Sequence, residues 1–131
     1  MSSPNNWTWL QLDVILAIHE AQLAEHGGPT GIRSRELLES ALGRPQSLAA
    51  YDTDADGVAI GATYAIAIFR DHPFMDGNKR TGWVAMRTFL ELNDIAFTFQ
   101  PAAAVAEVVA LAAGERDDAT FTAWVRAGVQ P

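Results

Sequence analysis

The stretch His72-Pro73-Phe74-Met75-Asp76-Gly77-Asn78-Lys79-Arg80-Thr81 separates two helical patterns and decides how the chain is read. Upstream, from Asp56, the residues Val58, Ile60, Ala62, Tyr64, Ala65, Ile66, Ile68 and Phe69 are apolar on almost every side, which marks a helix buried in the middle of a core. Pro73 disfavours a helical conformation at His72, so this helix stops at Asp71-His72. Asp76-Gly77-Asn78 is turn chemistry, and a new helix is predicted from about Asn78 to Asn93. The residues between are a short interhelical loop. Phe74 is expected to point inward, which would hold His72 and Asp76 on the opposite, open side.

Working outward, Thr8 reads as an N-cap with Gln11 three residues on and Trp7 and Leu12 at the staple positions, so a first helix is predicted over about 9–26. Leu10, Val14, Ile15, Ile18, Ala21, Gln22 and Leu23 carry its stripe as far as the stop at Gly27-Gly28-Pro29. Gly27 to Gly31 reads as an exposed loop, after which Ser34 can cap a short helix ending near Gly43-Arg44-Pro45. Ile95 to Phe99 alternates as a brief extended piece would, Pro101 opens an Ala/Val-rich helix closed by Gly114, and a last helix runs from about Thr120 to Ala127. The expectation is all-α: a compact bundle of about six helices with a short flap loop. With no repeat or linker, residues 1–131 are expected to form a single domain.

Composition narrows the function. A net charge of -7 and a pI near 4.7 argue against direct nucleic-acid binding, which needs clustered cations to displace counterions. The absence of Cys removes disulfides, thiolate nucleophiles and Cys-type zinc sites, and fits a reducing compartment. No apolar stretch approaches the roughly 20 residues of a membrane span, and the N-terminus has no basic region followed by an apolar run. A soluble, cytoplasmic protein is expected. Trp7, Trp9, Trp83 and Trp124 fit core packing, and His19 and His26, seven apart, read as surface or packing residues rather than metal ligands.

The chemistry concentrates in the interhelical loop. Lys79 and Arg80 fall in the first turn of a helix, where the dipole makes cations unfavourable by about a few tenths of a kcal/mol. With Arg70 and Arg87 they place four of the nine basic residues between positions 70 and 87. Free N–H groups at the helix start, a flexible Gly77 and these cations make an anion site suited to a phosphate chain, and a nucleotide is its natural occupant. Taken singly, Asp-Gly-Asn is a common turn and a His before Pro a common helix end. Together with the cations they fit transfer of a phosphoryl or nucleotidyl group to a hydroxyl. His72 supplies an imidazole, a side chain that can serve as base. Asp76 can serve as the lone protein carboxylate that magnesium needs beside phosphate oxygens. A P-loop is excluded, because position 72 is His and 78 is Asn.

The segment 72–81 resembles the signature loop of the Fic/Doc family, and its Asn-Lys-Arg-Thr ending resembles the Doc (death-on-curing) branch. Gly27-Gly28, the Leu-Leu-Glu-Ser-Ala-Leu-Gly-Arg-Pro run at 37–45 and Ala62-Thr63-Tyr64 are also similar to Doc proteins. The resemblance implies that His72 is the general base, Asp76 the magnesium ligand, Asn78 and the backbone after Gly77 the phosphate cradle, and Lys79 with Arg80 the clamps. It places Arg70 more weakly among the phosphate contacts and makes the loop at 27–34 the flap that docks a target. It also implies ATP and Mg as cosubstrate and metal. Phosphorylation follows from Lys79, which Doc proteins share where nucleotide-transferring relatives carry Gly. AMP transfer follows from Gly77, typical of that other branch. A non-catalytic binding module of the same fold is the third reading. The resemblance implies a toxin acting on a translation factor such as elongation factor Tu. No inhibitory Ser/Thr-x-x-x-Glu-Gly/Asn segment occurs, which implies restraint by a separate Phd-like antitoxin.

Overall fold

A computed structural model describes residues 6–130. Six helices follow one another among the described residues: α1 (Leu12–His26), α2 (Arg35–Tyr51), α3 (Gly57–Asp71), α4 (Asn78–Leu92), α5 (Pro101–Ala112) and α6 (Asp118–Ala127). The all-α expectation holds. The almost wholly apolar α3 is the axis: Ile60, Ala62, Tyr64, Ala65, Ala67 and Ile68 are fully buried, and α2, α4 and α6 pack around it. Desolvation decides this placement, because a helix apolar all round has no face to give to water. Ile15, Leu38, Phe89, Val108 and Phe121 bring the other five helices into the same core.

Caps set several boundaries. The Asp56 carboxylate accepts the Ala59 N–H (3.0 Å) at the start of α3 and pairs with Arg126 of α6. Partial burial raises its pKa, but the bonds to Arg126 and Ala59 outweigh this and leave it below the usual carboxylate value. α6 begins at Asp118, two residues earlier than the Thr120 start expected, capped by Asp117 through a 2.7 Å bond from the Thr120 N–H.

Two sequence expectations are corrected. Thr8 is not an N-cap, so the staple of Trp7 on Leu12 has no helix start to serve. α1 begins at Leu12 with Gln11 as its cap residue, and Thr8 exchanges bonds with the Asn93 amide at the end of α4 (2.8 and 3.1 Å). The reason is aromatic burial: Trp7 and Trp9 lie 6.2 and 6.0 Å from Phe89, and the Leu10 N–H donates to the buried Tyr64 hydroxyl. Residues 7–10 therefore run non-helically over α4 and α3. Nor does the second helix stop near Gly43-Arg44-Pro45; α2 continues to Tyr51. A proline inside a helix costs about 3 kcal/mol. Here Leu38, Ala41, Pro45 and Ala49 form one buried stripe, and continuing the helix keeps that stripe and the half-buried Leu48 in the core. The short extended piece is present: Phe97 bridges Val129 antiparallel, with a 2.9 Å bond from the Thr98 N–H to Gly128. The four Trp all pack against the core, as expected.

Candidate active site

The loop between α3 and α4 is held by bonds from other parts of the chain. α3 ends on His72, which takes the left-handed conformation (φ 48°, ψ 56°), a conformation seldom adopted by residues with a Cβ. Arg33, in the flap between α1 and α2, fixes that end. Its Nε donates to the His72 carbonyl (2.6 Å) and its Nη2 to the Asp71 carbonyl (2.7 Å). The main-chain N–H groups of Arg33 and Ser34 both donate to the Pro73 carbonyl, and the Met75 N–H donates to Gly31, so flap and loop pair antiparallel at Ile32 and Phe74. Phe74 is buried, as expected, and the Asn78 amide clasps it by accepting from its N–H and donating to its carbonyl (both 3.0 Å). From α1, the His19 ring stacks on Phe74 and bonds the Asp76 carbonyl.

This scaffold leaves the chemical groups of the loop in the open. A cleft of about 220 Å³ is lined by His72 and by Met75 to Arg80. His72 is exposed and Asp76 half-buried. Asp76 Oδ1 accepts the Gly77 N–H (2.8 Å), and Oδ2 lies so close to Gly28 of the flap that a Cβ there would collide with it. Gly77 takes φ 77°, and the first bond of α4 runs from the Thr81 N–H to its carbonyl. The N–H groups of Asn78, Lys79 and Arg80 consequently have no acceptor within the helix.

Five of the nine basic side chains meet carboxylates: Arg35 with Glu39, Arg44 with Asp71, Arg70 with Asp118, Arg116 with Glu107 and Arg126 with Asp56. Arg33 is committed to the two carbonyls. The remaining three, Lys79, Arg80 and Arg87, form no ion pair among the described residues, and all three project from α4. Arg87 lies 5.0 Å from the Phe99 ring, while Arg80 Nε is buried without a hydrogen-bond partner among the described residues. Buried donors rarely stay unpaired, so this position suits a bound anion. No cluster of three or more metal-ligating side chains exists among the described residues. Asp76 brings a single carboxylate to the cleft, and one or two protein carboxylates completed by phosphate oxygens and water is a pattern magnesium accepts.

The structure brings His72, Asp76, Gly77, Asn78, Lys79 and Arg80 to one cleft. It does not bring Arg70 there: that side chain pairs with Asp118 in the first turn of α6 (2.7 Å), so the phosphate contact expected of it is corrected. Asn78 belongs to the cleft through its main chain, since its side chain is taken up on Phe74. Two residues of the site went unassigned in the sequence. His19 is one, at the centre of the inward stripe of α1, where a polar residue among Ile15 and Leu23 was the available signal. Arg33 is the other. Its role arises from pairing between segments 38 and 39 residues apart, which no local pattern announces.

An exposed imidazole at one helix end shares a cleft with a carboxylate and with the open N-terminus of the next helix, an arrangement suited to an anion beside a group able to accept a proton. Residues 9–90 match the Fic/DOC family, and the chain belongs to that family. Two relatives are similar to it. "Protein kinase doc" of Escherichia phage P1 is 35% identical over 81 residues, covering 62% of this chain and 64% of that protein. "Toxin Doc" of Mycolicibacterium smegmatis is 38% identical over 71 residues, covering 53% and 54%. The chain thus spans less than two thirds of either relative's length. Among the described residues no helix is long and apolar enough to cross a membrane.

Proposed function

We propose that this protein is a cytoplasmic toxin of a toxin–antitoxin pair that transfers the γ-phosphate of ATP to a Ser or Thr hydroxyl of a translation factor such as elongation factor Tu. A Phd-like antitoxin restrains it. The observation that carries this reading is the charge arrangement: in a chain of net charge -7, the cations left without ion pairs among the described residues, Lys79, Arg80 and Arg87, share α4, whose N-terminus opens beside His72. The names of the relatives point the same way.

The N–H groups of Asn78 to Arg80 and the Lys79 and Arg80 side chains bind the phosphate chain, and the helix N-terminus favours its negative charge. Asp76 would hold magnesium, which when bound supplies charge neutralisation across the phosphates. His72, exposed at the cleft edge, takes the proton of the incoming hydroxyl on its free ring nitrogen as the hydroxyl oxygen bonds to the γ-phosphorus. The bond from that phosphorus to the bridging oxygen breaks, and ADP leaves. Arg33 keeps the His72 main chain in place throughout.

The test is label transfer: the protein is incubated with elongation factor Tu and ATP labelled at either the α or the γ phosphorus. Retention of γ label alone is expected. AMP transfer is the second reading, favoured by Gly77, and retention of α label would replace the kinase reading with it. No label from either nucleotide, in a lysate as well as with the purified factor, would leave the binding-module reading.

A further inference from the structure

We infer that His19 is a positioning residue of the transfer reaction, fixing through the Asp76 main chain the carboxylate that faces the phosphates; this rests on the reading of the cleft proposed above. His19 lies at the middle of α1, distant in sequence from the loop and only 5% exposed. Its ring stacks on Phe74 with centroids 3.8 Å apart and planes 10° from parallel. Its Nε2 is 2.8 Å from the Asp76 carbonyl oxygen. The partner is a carbonyl, so Nε2 must carry the hydrogen and donate it. A Cβ placed on Gly77 would lie 3.7 and 3.8 Å from Cδ2 and Nε2 of the same ring. One imidazole therefore touches or borders residues 74, 76 and 77.

The geometry of the peptide unit turns this contact into control of the site. In a trans peptide the carbonyl and the following N–H point in opposite directions. With the Asp76 carbonyl held toward α1, the Gly77 N–H is aimed away from α1, and there it binds Asp76 Oδ1 at 2.8 Å. That bond sets the carboxylate, leaving Oδ2 toward the flap at Gly28. The next peptide unit, joined to it through Gly77 at φ 77° and ψ 16°, presents the Gly77 carbonyl to the Thr81 N–H at 2.9 Å and starts the first turn of α4. An apolar residue at 19 could fill the space against Phe74 but would leave a part-buried carbonyl without its donor.

Two variants of the full chain separate the ring from the donor. His19→Phe keeps an aromatic ring against Phe74 and removes the N–H; His19→Gln keeps an N–H at similar reach and removes the ring. Magnesium-dependent ADP affinity by calorimetry and label transfer are measured with each, beside the thermal midpoint. Loss of about 10-fold in affinity and in turnover is expected for His19→Phe, as when an orienting partner behind a metal ligand is removed. His19→Gln should stay within about 3-fold of the parent in both, since the donor is retained. A folded His19→Phe that binds and turns over like the parent overturns the inference, as does a folded His19→Gln that loses as much as His19→Phe. A third readout needs no variant: nitrogen NMR of the parent should show the His19 hydrogen on Nε2, and a hydrogen on Nδ1 alone would overturn the inference. A parent that binds ADP tightly while His19→Phe does the same refutes only the role of His19. A parent without magnesium-dependent ADP binding refutes the cleft reading as well.

Discussion

The turns at the two ends of α4 use the same backbone device for different ends. Each places a non-glycine residue in the left-handed region directly after or near a helix end: His72 at φ 48° before α4 and Asp94 at φ 60° after it. After α4, the side chains are spent on structure. The Asn93 amide bonds Thr8 on both sides and also the Phe89 carbonyl, Ile95 packs on the core, and Phe97 and Phe99 meet Trp83 edge-to-face. Before α4, the holding groups reach in from outside and seize main-chain carbonyls, with Arg33 on residues 71 and 72 and His19 on 76. The imidazole of His72 and the Asp76 Oδ2 are left over. A turn becomes a site when its backbone is restrained by its neighbours, because its own polar side chains are then free for chemistry.

Substitutions at matched positions put this contrast at risk. His72→Gly should lower label transfer by about 10²- to 10⁴-fold, the range for a lost general base, while raising stability by roughly 0.5–1 kcal/mol as left-handed strain is relieved against a more flexible unfolded chain. A chemical-denaturation midpoint that falls would show that His72 supports the fold instead. Asn93→Ala should do the reverse, costing about 1.5 kcal/mol for three lost bonds that are exposed or part-buried and leaving turnover per folded molecule unchanged. Arg33→Met removes the clamp without touching the imidazole. In steady-state kinetics turnover is expected to drop about 10-fold and KM for ATP to rise about 3-fold, because the bared carbonyls of residues 71 and 72 also repel the phosphate chain. The smallest effect belongs to Asp94→Gly: a gain of about a few tenths of a kcal/mol, since Asp tolerates the left-handed region better than most, with no change in activity. An activity loss there would mean that the two turns are coupled through α4.

Most of the fold could be read from short-range chemistry. The helix ends at His72, Gly114 and Gly128, the central place of α3 and the inward turn of Phe74 all follow from periodicity, proline and glycine, and the six helices appear where those signals lie. The misreadings have a common cause. Thr8 and Pro45 carry strong local signals for a helix start and a helix stop, and in both cases burial against partners distant in sequence outweighed them. At the candidate site, the residues that line the cleft were visible because they are contiguous. Arg70 was placed there by proximity in sequence, but the Asp118 carboxylate lies within its reach and draws it aside. Arg33 and His19 act on main-chain oxygens across the fold, and hydrophobic patterning carries no record of such bonds.

The fork of Arg33 has an electrostatic effect beyond anchoring. The carbonyl end of α3 and the amide end of α4 open at opposite sides of one short loop, and a helix carries partial negative charge at the first and partial positive charge at the second. Left bare, the oxygens of residues 71 and 72 would push a phosphate chain away from the cleft that the amides draw it toward. A guanidinium bound to both of them offsets that pole, so the positive end of α4 is not opposed by a bare negative one across the loop.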